Sequence, residues 1–515
     1  MKLINFKEIY LAIGSVCILF YYFYLSLDTL TYIFDGGHHG SIFSNSLDLI
    51  SGKIPYLEIF LQYGFLNTFI NSLFIFFFDE NILGLYFATT FFYTSSIILI
   101  ALISKQLSSI YAFSLAILFC IFNHPIPEYP WPNYTAFFFL VLSIFLFDLN
   151  RNRLFWSGIF LALSCLTREN FYYFIIPSII FISLLFFFIN KQKRNIFYLI
   201  FGFLVPLIIF FLYLISNNIF QTWVEYQKLP FVYLEGYGVS FAELLITFAK
   251  FFIFEAPFKL GTNPQYFLIL IIIFFNFYVL IEEIFFKKKN NIKIIFICLL
   301  SLSSLVVSIN YEIFRLYTSI IVGLPVIFYK LDQLKESDFK FIILFIIFFI
   351  SIFSIYYFPK GNVKFFNKIN YEKSFTSSEI RYFKSQKWEE DKWSLVKTVK
   401  SIDEIVYKKC NVEFILNLTP NAFILPLSKF DKLQLVPLFN EHLGREFPFR
   451  FQKNLKSLIN EEISNNNVYI YSMENNINIL DNSLFNYKVS HRIKVSGYKG
   501  TEIRVFVPNN CYEKF

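Results

Sequence analysis

Apolar runs close to 20 residues long recur through the first 360 positions, and they decide what this chain can become. Wound as a helix, a run of about 20 residues matches the hydrocarbon thickness of a bilayer. The clear runs are 9–30, 82–104, 109–122, 134–148, 155–167, 171–189, 196–216, 265–286, 293–309, 314–330 and 340–358. With 56% hydrophobic and only 16% charged residues, a set of soluble domains is excluded. The runs predict a polytopic α-helical membrane protein of about 11 transmembrane helices, with outer-face juxtamembrane helices and a small C-terminal α/β extracytoplasmic domain. The abundant phenylalanines follow from compositional bias and are not read as a binding stripe.

Loop charge sets the direction of the spans. With a cytoplasmic N-terminus, the inner loops hold Lys105; Arg151 and Arg153; Lys191, Lys193 and Arg194; Lys287, Lys288, Lys289 and Lys293; and Lys330, Lys335 and Lys340. Basic residues favour cytoplasmic loops. The outer loops hold Asp35, Asp48, Glu58, Glu128, Glu169, Glu225 and Glu312, among others. The pattern holds only if residues 61–78 do not cross. Gln62, Asn67, Asn71 and Ser72 give that segment a polar side, so it is expected to lie along the outer face. Lys2 and Lys7 precede an apolar run without a small-residue cleavage site, so the first run is expected to remain as an anchor. An odd number of crossings puts residues 360–515 outside. The net charge of +8 is scattered over short loops and the tail and gives no support to nucleic-acid binding.

The tail is a different material, with dense charge and short apolar runs. Residues 412–418, 468–473, 487–495 and 502–508 read as strands, and 394–408 and 449–463 as helices. A further amphipathic helix is expected at 241–254. Cys17, Cys120, Cys165 and Cys298 fall in apolar runs and read as small buried hydrophobes. Cys410 and Cys511 lie in the tail and could pair in an oxidising compartment.

The first long polar break, residues 31–63, carries Asp35, His38, His39, Asp48 and Glu58. Ionisable groups are costly inside hydrocarbon, so a cluster at the mouth of a span is a candidate site. Asp35-Gly36-Gly37 suits a tight turn, a short helix is expected over 39–50, and Ser51 to Tyr56 redirects the chain. The next outer loop, 123–133, contains four prolines and presents His124 and Glu128. Tyr129-Pro130-Trp131 could stack on a sugar ring, although interfacial anchoring is the commoner use of such residues.

Taken in order, these pieces resemble a known family. Asp35, then Leu49-Ile50-Ser51-Gly52-Lys53-Ile54-Pro55-Tyr56, then Leu166-Thr167-Arg168-Glu169, then Arg315-Leu316-Tyr317 leading to Leu324-Pro325 carry the resemblance. It is to the GT-C superfamily of membrane glycosyltransferases, nearest to bacterial aminoarabinose transferases and protein O-mannosyltransferases. Many relatives have Asp-Glu where this chain has Asp35-Gly36, and here His38-His39 follows. Glu128 is the counterpart of a second acidic site. The resemblance implies a GT-C-like transmembrane catalytic domain over 1–359 and a separate extracytoplasmic domain over 360–515, in a bacterial inner membrane. It also implies transfer of a sugar from a polyprenyl-phosphate carrier to an envelope glycan, lipid or protein acceptor, with inversion at the anomeric carbon.

Such a transfer needs a base for the acceptor hydroxyl and cations for the departing phosphate. Asp35 is the candidate base; a turn-forming aspartate is the plainer alternative. Arg168 and Arg315 are the arginines of the outer loops in the membrane part, and guanidinium suits phosphate. Ion pairing with Glu169 and Glu312 is their plainer use. His38, His39, Glu128, Glu169 and Tyr317 are candidate substrate contacts, and Lys53 and Lys228 weaker ones. The three acid and guanidinium groups are expected to share a cavity at the outer leaflet. No metal cofactor is required, because a polyprenyl phosphate leaves readily once its charge is met. His38, His39 and His124 with Asp35 or Glu128 could hold a divalent ion, but adjacent histidines point apart on most backbones. Competing assignments are a polysaccharide polymerase or ligase, a lipid-linked glycan transporter, and a non-catalytic envelope scaffold. A transporter calls for charges buried in mid-span, and the spans are nearly free of them.

Overall fold

Hydrocarbon offers no water to backbone N–H and C=O groups, so apolar runs close their own hydrogen bonds as helices. The computed structural model describes residues 6–33, 36–61, 63–123, 130–189, 195–227, 243, 246, 250, 264–287, 291–305, 321–333, 374–419, 421–433, 460–465, 467–473, 484, 486–494 and 502–513. Its helices begin with α1 (Phe6–Tyr32), α2 (His38–Ile50), α3 (Phe65–Phe77), α4 (Ile82–Leu107), α5 (Ile110–Asn123), α6 (Pro132–Leu146) and α7 (Arg151–Thr167). They continue with α8 (Tyr172–Ile189), α9 (Ile196–Ser216), α10 (Phe220–Tyr226), α11 (Pro264–Ile281), α12 (Ile292–Ser303) and α13 (Leu324–Gln333). Among the described residues, Ile9–Tyr32, Ile82–Leu107, Glu169–Phe187 and Ile196–Ser216 are long and apolar enough to cross a membrane. Other expected spans are shorter apolar helices here, such as Pro132–Leu146 and Ile292–Ser303. The run at 340–358, the helix expected at 241–254 and most of 449–463 fall largely or wholly outside the described residues. The architecture is a polytopic α-helical membrane fold with a small C-terminal β-sheet region.

The chain divides into two compact units, one of residues 1–29, 89–213 and 242–369, the other of 30–88, 214–241 and 370–515. The first unit is helical, and its backbones approach closely at glycine. A Cβ on Gly158 of α7 would stand 2.1 Å from Leu199 O of α9, and one on Gly202 of α9 2.0 Å from Phe155 O of α7. Small residues let membrane helices exchange dispersion contacts along their backbones. Hydroxyls inside the apolar helices satisfy themselves. Ser104 Oγ donates to Ile100 O at 2.8 Å, and Ser178 Oγ to Phe174 O at 2.8 Å. Others join neighbours: Ser164 Oγ donates to Ala136 O at 2.7 Å, and Ser143 and Ser157 hydroxyls meet at 2.8 Å, tying α6 to α7. The last turn of the run expected at 265–286 is a π turn, Glu282–Phe286, not a plain span end. There Glu283 is fully buried, holding Lys287 at 2.5 Å and the Tyr329 hydroxyl at 3.1 Å.

The second unit joins the first polar break to the tail. Tail strands are β1 (Phe375–Thr376), β2 (Lys387–Trp388), β3 (Phe414–Leu418), β4 (Asp431–Lys432), β5 (Val468–Met473), β6 (Tyr487–Lys494) and β7 (Glu502–Pro508). The main sheet has order β4-β3-β5-β7-β6; β3 runs parallel to β4 and β5, and β7 antiparallel to β5 and β6. Every residue of β5 is buried, as a central strand covered on both faces requires. Val468 and Ile470 enter a core with Leu416, Leu418, Ile463 and Phe506. The Tyr471 hydroxyl bonds Val399 O of α14 (Glu390–Lys409) at 3.4 Å, and the Tyr469 hydroxyl bonds the Asp403 carboxylate. Burial holds the Tyr469 phenol well above its ordinary pKa, so it stays a donor. Cys410 and Cys511 form a disulfide with a Cα–Cα distance of 5.1 Å.

Helix α3 is amphipathic with its polar side turned inward. Asn67, Thr68, Asn71 and Ser72 are buried, while Phe69, Leu73, Phe76 and Phe77 are exposed. Helix α2 is pinned to β4 by charge. The Lys432 ammonium, 7% exposed, pairs with Asp48, whose other oxygen takes Lys53 at 3.0 Å. Burial pushes the Lys432 ammonium toward its neutral form.

Two substitutions test these contacts in detergent-solubilised protein. Gly158→Leu should abolish the α7–α9 approach and cost more than about 3 kcal/mol, seen as lost monodisperse yield; Gly14→Leu, with nothing within 4 Å, should be tolerated. Asp48→Asn should destabilise by about 3–5 kcal/mol by stranding Lys432, and adding Lys432→Met should restore most of the melting temperature.

Candidate functional site

The polar break begins where α1 ends, and the tail grips it on both sides of Asp35. Upstream, Gln386 Nε2 donates to Thr31 O at 2.5 Å, and the Lys387 ammonium lies 3.9 Å from the Tyr32 ring centroid. Downstream, Phe423 N donates to Gly36 O at 3.2 Å. The two glycines at the start of α2 make this approach possible. A Cβ on Gly36 would stand 2.8 Å from Asn421 Oδ1 and Phe423 Cδ1, and one on Gly40 2.4 Å from Phe423 N. No side-chain cap closes the start of α2. Asp35 itself lies outside the described residues.

His39 is fully buried, its ring edge-on to Tyr86 with centroids 5.5 Å apart. The Tyr86 hydroxyl donates to Gln386 Oε1 at 2.6 Å, so the same glutamine that holds Thr31 also fixes the ring behind His39. His38 is half-buried. Phe43, further along α2's buried side, packs against Phe383 with ring centroids 5.8 Å apart. The rest of the break is framework. Glu58 Oε2 accepts from Ile54 N at 2.7 Å, and Asp48 and Lys53 pair with each other. Gly52 has φ +93°, and Tyr56, buried, has φ 66°. A tyrosine in the left-handed region is strained unless its surroundings hold it. Tyr56 is held by Tyr56 N donating to Ile59 O at 3.0 Å and by an edge-on contact with Tyr226 at 5.3 Å.

In the helical unit, Arg168 ends α7 in an extended conformation, φ −140° and ψ 104°. Arg168 N donates to Ser164 O at 3.1 Å, and Arg168 O accepts from Phe171 N at 3.0 Å. The guanidinium lies over Trp131 at 5.9 Å from the ring, an arrangement that favours a cation beside an aromatic face. Trp131 is buried just before Pro132 opens α6. Glu169, half-buried, begins a single 3-10 turn, Glu169–Phe171. The face of Trp131 that could stack on a sugar therefore meets Arg168. Glu128, His124, Lys228, Arg315 and Tyr317 lie outside the described residues, and so does the expected cavity shared by Asp35, Arg168 and Arg315. Among the described residues, no three His, Cys, Asp or Glu side chains come together as a metal set.

Gln386, Phe423 and Lys432 carry no motif that singles them out in the sequence. The one legible signal is Asn417-Leu418-Thr419-Pro420-Asn421, a composition typical of a turn, directly after a strand.

No family model matches the sequence, and no curated protein matches it. Solved structures do. ArnT from Cupriavidus metallidurans bound to undecaprenyl phosphate matches with TM-score 0.53 and 10% identity, over 96% of this chain and 97% of that one. Apo ArnT matches with TM-score 0.51 at the same identity and coverage. The Archaeoglobus fulgidus oligosaccharyltransferase in complex with Zn and sulfate matches with TM-score 0.52 and 11% identity, over 95% of this chain and 75% of that one. At such identities the likeness is one of fold, and by that likeness the chain has the GT-C fold.

Proposed function

We propose that this protein is a membrane glycosyltransferase that moves a sugar from a polyprenyl-phosphate carrier to an envelope glycan, lipid or protein acceptor. The observation that carries the proposal is the near end-to-end likeness of fold to an ArnT structure that holds undecaprenyl phosphate. The tail's grip on both sides of Asp35 supports it from this chain's own residues.

Asp35 acts as general base. Its carboxylate takes the proton of the acceptor hydroxyl as the oxygen attacks the anomeric carbon. The bond from that carbon to the phosphate oxygen breaks, and its electron pair leaves with the lipid phosphate, so configuration inverts. Arg168 and Arg315 meet the growing phosphate charge with donors that stay cationic. Arg168 is suited to this because its guanidinium is braced over Trp131 rather than freely rotating. Glu128, Glu169 and Tyr317 contact substrate; His38 does so directly or, with buried His39, from behind. No step is routed through a metal.

The reaction takes place at the outer leaflet of a bacterial inner membrane, with 11 crossings, a cytoplasmic N-terminus, α3 along the outer face and the tail extracytoplasmic. The Cys410–Cys511 disulfide supports that sidedness, since structural disulfides persist in oxidising compartments. The exposed phenylalanines of α3 support its placement against lipid.

In a strain lacking the gene, complementation with Asp35→Asn should lower the glycan product at least about 100-fold, the scale of a general base, with unchanged protein level. An unchanged envelope glycan profile would remove Asp35 as base. A C-terminal alkaline phosphatase fusion should be active, and Cys410 and Cys511 should react with maleimide only after reduction; an inactive fusion would reverse the sidedness.

A further inference from the structure

One row of residues crosses the tail sheet from β3 to β6 and is charged at its far end. Leu418 of β3 stands opposite Ser472 of β5, Ser472 opposite Arg504 of β7, and Arg504 opposite Arg492 of β6. Directly opposed residues share one face of a sheet, so the four side chains form a line. Its near end is apolar, with Leu418 in the core beside Ile470 and Phe506. From there the chain runs straight into the turn that meets the first polar break. Asn417 Oδ1 accepts from Thr419 N at 3.1 Å and from the Thr419 hydroxyl at 2.7 Å, and Asn417 Nδ2 donates to Asn421 O at 3.1 Å, so the turn is fixed. Phe423, just beyond it, donates its N–H to Gly36 O. Strands β3 and β5 run parallel and end together on this side, the end at which open α/β sheets place ligands. With strands about 4.8 Å apart, Arg492 stands about 15 Å from Leu418 along the row.

The far end is short of negative charge. Arg492 and Arg504 are opposed across an antiparallel ladder, where like charges are unfavourable. Glu502 lies against both: its Oε1 is 3.5 Å from Arg492 Nε and 3.9 Å from Arg504 Nε. Both contacts are longer than the about 2.8 Å of a good charge-assisted hydrogen bond. Lys494, exposed, stands opposite Glu502 in the same ladder. Among the described residues at this end of β6 and β7, three cations share one acid. The Arg492 side chain is 63% exposed, so the cluster is open to ligand on that side. Guanidinium forks match the paired oxygens of phosphate and carboxylate and keep their charge at any working pH.

We propose that Arg492 and Arg504 form an oxyanion site, which holds a phosphate or carboxylate group of the acceptor at a distance from the hydroxyl that reacts. The ligand class thereby narrows from any envelope alcohol to an anionic one. Glu502 is the resting partner of the two guanidinium groups and competes with the arriving anion for them. Contacts to a remote group of a substrate serve to orient its reacting end. The assignment rests on the reading of this chain as a glycosyltransferase whose acceptor meets the first polar break.

Full-length parent, Arg492→Gln, Arg492→Lys and Glu502→Gln are placed in phosphatidylcholine nanodiscs, and inorganic pyrophosphate is titrated in at low salt by calorimetry. The parent should bind, and Arg492→Gln should bind about 10-fold more weakly or worse. Arg492→Lys should lie between them, and Glu502→Gln should bind more tightly because the competing carboxylate is gone. A merely structural cluster would show no pyrophosphate affinity that depends on Arg492, and Glu502→Gln would lower the melting temperature without tightening binding. Either result would overturn the site. Phosphatidic acid added to the nanodisc separates the sources of the anion: it competes with pyrophosphate if the acceptor is a lipid and does not if it is a glycan or protein. In a strain lacking the parental copy, Arg492→Gln should lower envelope glycan product about 10-fold per amount of disulfide-bonded protein. Parental product from Arg492→Gln, with Asp35→Asn inactive, would overturn the acceptor assignment alone. Product from Asp35→Asn would instead overturn the base.

Discussion

Two main-chain carbonyls, those of Thr31 and Gly36, are each taken by a donor from the C-terminal part of the chain. Asp35 lies between them in sequence. The places of Thr31 and Gly36 are therefore set by contacts spanning more than 350 positions, as from Thr31 to Gln386, and not by local propensity. Local chemistry alone would leave it loose: two glycines follow, and α2 starts without a side-chain cap. Order enters through backbone bonds and close packing that glycine alone permits. It follows that the polar break is completed only once the tail has folded, a late event in synthesis from the N-terminus. The Asp48–Lys432 pair and the Phe43 contacts at the tail extend the same grip along α2.

The helical unit solves a different problem. Its polar side chains have no water to fall back on, so hydroxyls such as those of Ser104, Ser178 and Ser164 bond a carbonyl on their own helix or the next. Ser and Thr within the runs are for that reason poor guides to a polar pathway. The buried carboxylate of Glu283 is engaged on both oxygens: it accepts from Lys287, the Tyr329 hydroxyl and Asn291 N. A network closed in this way specifies helix ends and leaves no spare group for a ligand. Asn421 in the tail is its opposite, bonded at both backbone groups while its buried Nδ2 has no hydrogen-bond partner.

The helices were legible because burial in lipid leaves the chain one solution, and α9 ends at the residues its apolar run predicts. Strands β5 and β7 were equally plain, being β-branched and aromatic runs between polar turns. The π turn at Glu282–Phe286 was not, since a carboxylate's partners on another helix leave no trace in its own run. At the candidate site the sequence pointed to residues one by one: Asp48, Glu58, His39 and Arg168 all stood out as ionisable groups at span ends. It could not say which were framework. Asp48 and Glu58 hold the chain in place, His39 faces a tyrosine and Arg168 a tryptophan, and each outcome depends on a partner supplied by another element. The tail residues Gln386 and Phe423 act through backbone carbonyls, and such contacts have no sequence signature.

Gly36 stands where the tail comes close to the first polar break. The family that the sequence resembles often carries a second acid at this position. A Cβ there would meet Asn421 Oδ1 at 2.8 Å and Phe423 Cδ1 at 2.8 Å, so any longer side chain would have to displace both. The turn occupies the volume an acidic side chain would need and puts a neutral amide in it.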